Sequence, residues 1–248
     1  MSRHVSRLLF YGVAVLFTSA APAADKLPKD GAWARYYVVV SFPNGKEYLS
    51  RYSIRFVGTV VENGKRHRWI EFFSDHTIRG GGKSVRKFLL PEKALRESSH
   101  PLRQYVRGWK GEPGKTPMPL PTSGPEKERA AIGGTSLLFL PAVLKPSKVT
   151  RNPRTVDYQK GRLRMKSGRA GTFRDMIQEA DGRVITWKSD YEVWSHKNVP
   201  LWMVSRKSKE FVIYKNPNEK ETVGSRRTLE LTLEDWGTDA KSALPNAK

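Results

Sequence analysis

Residues 48–57 read Tyr-Leu-Ser-Arg-Tyr-Ser-Ile-Arg-Phe-Val, a segment in which the character of the side chain changes at every second position. Tyr52 and Phe56 share one face of an extended chain and Arg51 and Arg55 share the other, because successive side chains of a strand point to opposite faces. The pattern predicts a strand with one buried face and one cationic, solvent-exposed face.

Turn signals place two further strands beside this one. Asn44-Gly45 separates it from the run 33–42, and Asn63-Gly64 separates it from the run 67–73. Asn-Gly accepts the positive φ angles that tight hairpins require, so the three runs predict consecutive antiparallel strands.

Alternation returns in the second half of the chain, at residues 162–166, 187–194 and 228–234. The predicted fold class is mainly β: a curved antiparallel sheet, forming an open or half β-barrel, with about eight to ten strands in meander order. One or two short helices are expected, the first opening at Pro91, because proline suits a first helical turn. A closed lipocalin-like barrel and a β-sandwich are the alternative architectures.

Both chain ends differ from the part between them. Residues 1–23 combine Arg3 and Arg7, an apolar run and a small-residue stretch, which predicts a cleaved signal peptide and export to the periplasm, the cell envelope or the medium. Residues 24–236 are expected to form one antiparallel β domain, with a Pro/Gly-rich insertion at about 110–134, and residues 237–248 a flexible tail. No later segment is apolar and long enough to predict a transmembrane span.

The amino-acid composition favours one class of partner and excludes one class of catalysis. The 45 Lys and Arg residues outnumber the 24 Asp and Glu residues, giving a formal net charge of +21, which favours anionic partners such as lipid headgroups or envelope polymers. No cysteine is present, which excludes thiol catalysis and thiolate metal ligation.

Catalytic and cofactor motifs fail on inspection. Gly111–Thr116 resembles the end of a phosphate-binding loop, but the required earlier glycine is replaced by Trp109 and prolines follow. No catalytic residue, metal or cofactor is therefore expected. One enzymatic alternative remains, an envelope hydrolase with a His/carboxylate site, whose candidate residues are His67, Glu71, Asp75 and His76.

Two groups of side chains are candidates for binding. The first consists of aromatic residues on inward-facing positions, which could hold an apolar or amphipathic ligand: Tyr48, Tyr52, Phe56, Trp187, Tyr191 and Trp202. The second is a cationic row that could bind a polyanion: Arg162, Arg164, Lys166 and Arg169.

Four segments carry a resemblance to known proteins: Leu27–Tyr36, Leu90–Leu95, Tyr191–Leu201 and Leu231–Gly237. They resemble a group of exported proteins of planctomycete-type bacteria, to which no activity is assigned. More loosely, the strand-rich layout with a strand turning at Val199-Pro200-Leu201 is similar to periplasmic lipoprotein carriers of the half-barrel type. That resemblance implies a curved sheet that shelters an apolar cavity closed by helices.

These observations predict an exported, non-enzymatic binding or carrier protein. An apolar or amphipathic ligand is expected on the concave β face, and the basic exterior is expected to face anionic envelope material. Specific nucleic-acid binding is not expected. A structural component of an envelope assembly is the third hypothesis.

Overall fold

A computed structural model describes residues 27–76, 82–98, 100–132, 148–179 and 181–245. The signal peptide predicted at residues 1–23 therefore lies outside the described part. The strands are β1 Trp33–Ser41, β2 Glu47–Glu62, β3 Lys65–Asp75, β4 Lys83–Pro91, β5 Arg107–Gly111, β6 Met118–Pro119, β7 Lys148–Thr150, β8 Arg154–Tyr158, β9 Gly161–Met165, β10 Gly168–Gln178, β11 Val184–Ser195, β12 Met203–Lys215 and β13 Thr222–Gly237. The helices are α1 Glu92–Glu97 and α2 Gly124–Ile132, and residues Pro101–Gln104 form a 3₁₀ turn.

Eleven strands form one antiparallel sheet in the order β6-β5-β4-β3-β2-β1-β13-β12-β11-β10-β7. The first six strands run outward from β1 as a meander, and β10 to β13 return as a second meander that ends beside β1. The predicted mainly β, antiparallel, open sheet is confirmed. The alternatives of a closed barrel and a sandwich are wrong, because β6 and β7 end the sheet without pairing with each other in the described residues.

The two Asn-Gly signals mark real hairpins. Asn63 and Gly64 both have positive φ, 51° and 71°, and connect β2 to β3 directly. At the β1–β2 hairpin only Gly45 is left-handed, at 77°. The turn is closed by hydrogen bonds from the Phe42 amide to the Lys46 carbonyl and from the Gly45 amide to the Phe42 carbonyl. Glycine or asparagine occupies these positions because a left-handed backbone strains other side chains.

The sheet has a buried inner face and a more polar outer face. Tyr36, Ile54 and Leu231 lie on the inner face with 0% exposure, and Arg35 and Arg55 lie on the outer face. The helical elements cover the inner face: the ring of Tyr105, which follows the 3₁₀ turn, is 5.2 Å from that of Phe88 on β4.

The contacts that the 3₁₀ turn makes with two distant strands require the sheet to be strongly curved. Arg103 in this turn lies 2.6 Å from Asp175 of β10, although Tyr105 contacts β4. β4 and β10 are seven positions apart in the sheet, which in a flat sheet with ~4.8 Å between strands would separate them by roughly 34 Å. The sheet therefore curls around its inner face, which is concave.

Elements outside the main sheet cover parts of the outer face. The β8–β9 hairpin lies against β11 and β13: the Trp194 indole donates to the Asn152 carbonyl at 2.8 Å, and Arg154 pairs with Glu230. The segment after β13, described through Pro245, packs on β3 and β4. Within the described ranges, no helix is long and apolar enough to span a bilayer.

Candidate functional site

The concave face changes in character from one end to the other. One end, where β1 and β13 meet the β11–β12 connection, is packed with buried apolar residues: Ala34, Leu233, Val199, Leu201 and Met203. At the other end, β1, β3, β10 and β12 finish and β2, β4, β11 and β13 begin. We call this second end the polar end, because several ionisable side chains of the inner face lie there.

A buried ionic network occupies β12 and β13 at the polar end. The Glu210 carboxylate accepts from Arg227 at 2.8 and 2.7 Å, and Arg206 Nη2 lies 3.5 Å from its other oxygen. Arg206 also donates to Ser189 Oγ at 2.9 Å, and it is 0% exposed. Burial lowers the pKa of Arg206, and Glu210 partly counteracts this effect. Glu210 itself is 3% exposed, and these guanidinium groups are its ion-pair partners within the described residues.

Tyr52 connects this network to the opposite half of the sheet. Burial raises the pKa of the Tyr52 hydroxyl, whereas Ser50, Arg227 and Arg86 lower it. Arg86 of β4 donates to the Ala130 carbonyl of α2 at 3.2 Å, and burial lowers its pKa. Strands β2, β4 and β13 thus converge at Tyr52, which lies near Arg86 on one side and near Arg227 of the Glu210 network on the other.

A clasp joins the covering elements to the far strand. Asp175 of β10 is 5% exposed, and it accepts from Arg103 at 2.6 Å. His100 Nδ1 lies 3.5 Å from the same oxygen, and Arg103 also donates to the Met176 carbonyl. The sequence analysis missed these residues, because 72 residues separate the two ends of the ion pair and no local pattern marks either.

The predicted aromatic residues divide between the two ends. Tyr48, Tyr52, Trp187 and Tyr191 lie on the inner face in the half toward the polar end. Tyr48 is 52% exposed and Tyr191 only 4%. Phe56 is also on the inner face, but it is 2% exposed in the packed apolar core, and Trp202 lies in the β11–β12 connection with a φ of 56°. Four of the six therefore lie in the same half of the inner face, two on β2 and two on β11.

The predicted cationic row is not a single row. Arg162 and Arg164 are exposed on β9, and Arg162 pairs with Asp157 of β8, with 3.3 Å between Nη2 and Oδ2. Lys166 follows β9 in a bend, and Arg169 belongs to β10 of the main sheet. Arg164 and Lys166 are the exposed cations of this group that no described ion pair engages.

The residues of the hydrolase alternative are not assembled into one site. His67 Nδ1 is 3.0 Å from the Lys65 carbonyl, and the Glu71 carboxylate accepts from Ser242 and, at 2.9 Å, from the Ala243 amide. Asp75 lies 3.7 Å from Lys83, and the His76 ring packs against Tyr52. In the part of the chain that the structure describes, no group of three His, Asp or Glu residues could hold a metal ion.

Comparisons with known proteins do not place the chain in a family. No family model matches it, and no curated protein does. Among solved structures, the chain is similar to a Bacteroides fragilis protein with a YmcC-like fold, at 9% identity over 85% of this chain and 97% of that one, with a TM-score of 0.26.

Proposed function

We propose that this chain is an exported, non-enzymatic binding or carrier protein of the periplasm or cell envelope. Its ligand is amphipathic and bears an acidic head group, which sits at the polar end between Arg86 and Arg227. The rings of Tyr48, Tyr52 and Trp187 contact the part of the ligand next to the head group. The basic exterior rests against anionic envelope material.

The observation that carries this proposal is the concentration of arginine side chains at the polar end. Arg206 and Arg227 both lie beside the Glu210 carboxylate, and Arg227 and Arg86 both lie near the Tyr52 hydroxyl. An acidic head group beside these guanidinium groups would accept charge-assisted hydrogen bonds, which are stronger than bonds between neutral groups. The side chain of Arg227 is 30% exposed, so the site is accessible from solvent.

Two probes of equal chain length test the head-group requirement. Dodecanoate and dodecanol share an apolar tail, and only the first is an anion at neutral pH. We expect dodecanoate to bind and to change the intrinsic fluorescence of Trp187, and we expect dodecanol to bind at least ten times more weakly. Equal binding of the two, or no binding of either, contradicts the proposal.

A pair of arginine variants locates the site. Arg86→Gln removes one charge from the polar end and should weaken dodecanoate binding by about tenfold, since a charge-assisted hydrogen bond contributes about 1.5–3 kcal/mol. Arg226→Gln is the control, because Arg226 precedes Arg227 on β13 but is exposed on the outer face. If both variants bind dodecanoate like the parent protein, the ligand does not use this site.

A further inference from the structure

A cavity lies on the outer face of the sheet. It encloses about 650 Å³ above β1, β2, β3 and the start of β4, and Glu234 of β13 and residues 239–240 form part of its wall. Trp33 and Phe73 are its aromatic residues, and most of its other lining side chains are charged. We call it the outer cleft. Its volume is in the range of small-ligand sites and far exceeds that of a single inorganic anion.

Most charges of the outer cleft are already paired. Glu234 lies between two arginines, with Arg35 Nε at 2.8 Å and Arg51 Nε at 2.9 Å. Lys83 lies 3.7 Å from Asp75, and Asp239 accepts from the Trp33 indole at 2.8 Å. These pairs fix the cleft walls and leave them close to electrical neutrality.

Arg55 is the exception. Its guanidinium lies over the Phe73 ring, 5.1 Å from the ring centre, and no described residue offers it an acceptor within hydrogen-bonding distance. Its cross-strand neighbour Glu71 is 0% exposed and accepts instead from Ser242 and Ala243. Arg55 is partly buried; burial lowers the pKa of its guanidinium, and the negative charge of Glu71 partly counteracts this effect.

We propose that the outer cleft binds an acidic saccharide through a carboxylate that forms a two-pronged ion pair with Arg55. The planar guanidinium matches a carboxylate with two parallel hydrogen bonds, which a lysine cannot reproduce. The paired polar groups around Arg55 suit a hydroxyl-rich body, and Phe73 fixes the plane of the guanidinium from below. This site is separate from the concave site and does not depend on it.

Three probes test the class of ligand by calorimetry at about 0.15 M salt, where charges beyond about 8 Å are screened. Digalacturonate carries the sugar body and the carboxylate, lactose carries a sugar body alone, and inorganic phosphate carries the charge alone. We expect only digalacturonate to bind at millimolar concentration or below. Equal affinity for lactose overturns the role of the carboxylate, and equal affinity for phosphate overturns the saccharide.

Variants assign the binding to Arg55. Arg55→Gln should weaken digalacturonate binding at least tenfold, and Arg55→Lys should recover only part of it, because the charge returns without the planar fork. Arg174→Gln, an exposed position on β10, removes the same charge elsewhere and should leave binding unchanged.

A thermal melt of each variant without ligand separates binding from folding. Arg55→Gln should remain folded at the temperature of the calorimetry, because it loses only the contact with the Phe73 ring and the attraction to Glu71. Unchanged binding by Arg55→Gln, or full binding by Arg55→Lys, overturns the proposal.

Discussion

The inner face contains charged side chains of a kind that the core of a β-sheet ordinarily lacks. Arg206 is 0% exposed and Glu210 is 3% exposed, and each depends on the other and on Arg227 for neutralisation. A buried ion pair adds little net stability, but removing one member leaves a buried charge without compensation. The loss of stability caused by a substitution in this network therefore depends on whether it leaves a buried charge without a partner.

Glu210→Gln should lower the free energy of unfolding by about 3–5 kcal/mol, because Arg206 and Arg227 then repel each other in a buried site. Urea unfolding followed by circular dichroism measures the change. Asp157→Asn is the control: it breaks the pair with Arg162 on the exposed β8–β9 hairpin, and we expect no resolvable change. Similar losses in both variants would show that burial does not set the cost.

Tyr36 makes stability fall at alkaline pH. Its hydroxyl donates to the Met203 carbonyl at 3.1 Å, and burial raises its pKa above the ordinary value of 10.0. The unfolded chain loses this proton near pH 10 while the folded chain retains it, so the stabilisation is complete below that pH and declines above it.

Tyr36→Phe tests this pH dependence. At neutral pH the variant should be less stable by about 1 kcal/mol, owing to the lost hydrogen bond. Above pH 10 its stability should fall less steeply than that of the parent, with a difference in slope approaching about 1.4 kcal/mol per pH unit. Urea midpoints across the alkaline range measure the slopes. Tyr48→Phe, at a 52% exposed position, should leave the slope unchanged, and equal slopes for Tyr36→Phe and the parent would contradict the assignment.

Among the secondary-structure elements, the short ones are held by a few long-range contacts. α1 and the 3₁₀ turn together span about three helical turns, too few to be stable alone. Leu95, Leu102 and Tyr105 pack them on the sheet, and Arg103 ties them to Asp175 of β10. The segment after β13 is held similarly: Lys87 donates to Ser242 at 3.2 Å and to the Leu244 carbonyl at 3.1 Å.

Arg103→Gln should release the 3₁₀ turn from β10 without unfolding the sheet. We expect the amide hydrogens of residues 92–105 to exchange at least tenfold faster, because local opening no longer breaks the Asp175 ion pair. Hydrogen exchange with mass spectrometry resolves this segment. The control is Arg96→Gln, which alters a partly exposed arginine of α1 with a contact to Glu92 at 3.9 Å and should change exchange little. Uniform acceleration across the sheet would instead indicate global destabilisation.

On the scale of the whole molecule, two meanders meet at the β1–β13 pair. Strands from opposite ends of the described chain thus form the centre of the sheet, and Trp33 pairs with Gly237. The covering elements and the β8–β9 hairpin lie on opposite faces of this sheet. The whole sequence carries a formal net charge of +21, and a net charge of this sign favours long-range attraction to polyanions.

The affinity for a polyanion should fall steeply as the salt concentration rises, since each ionic contact releases bound counterions. We expect the double variant Arg164→Gln/Lys166→Gln to leave a heparin column at lower salt than the parent protein. The control is the double variant Lys220→Gln/Arg226→Gln, which removes the same charge from two exposed positions, one in the β12–β13 connection and one on β13. If both variants shift elution equally, net charge governs binding and residues 162–166 form no special patch.

The fold could be predicted from sequence as far as local patterns reach. Alternation assigned Tyr52 and Tyr191 to a buried face, and Asn63-Gly64 located a hairpin, because side-chain direction and turn geometry depend on neighbouring residues. The same reasoning grouped Arg162 with Arg169, although they belong to different strands that share no sheet. It also treated residues 237–248 as a tail without foreseeing that Leu244 is buried against Val85.

The amino-acid sequence alone established the antiparallel β class, the basic surface and the absence of thiol chemistry, because periodicity and composition depend only on which residues occur and in what order. The approach of Arg86 and Arg227 to Tyr52 and the Arg103–Asp175 clasp emerged only in three dimensions. Each joins strands whose proximity follows from sheet order and curvature, and these are properties of the assembled chain rather than of any segment.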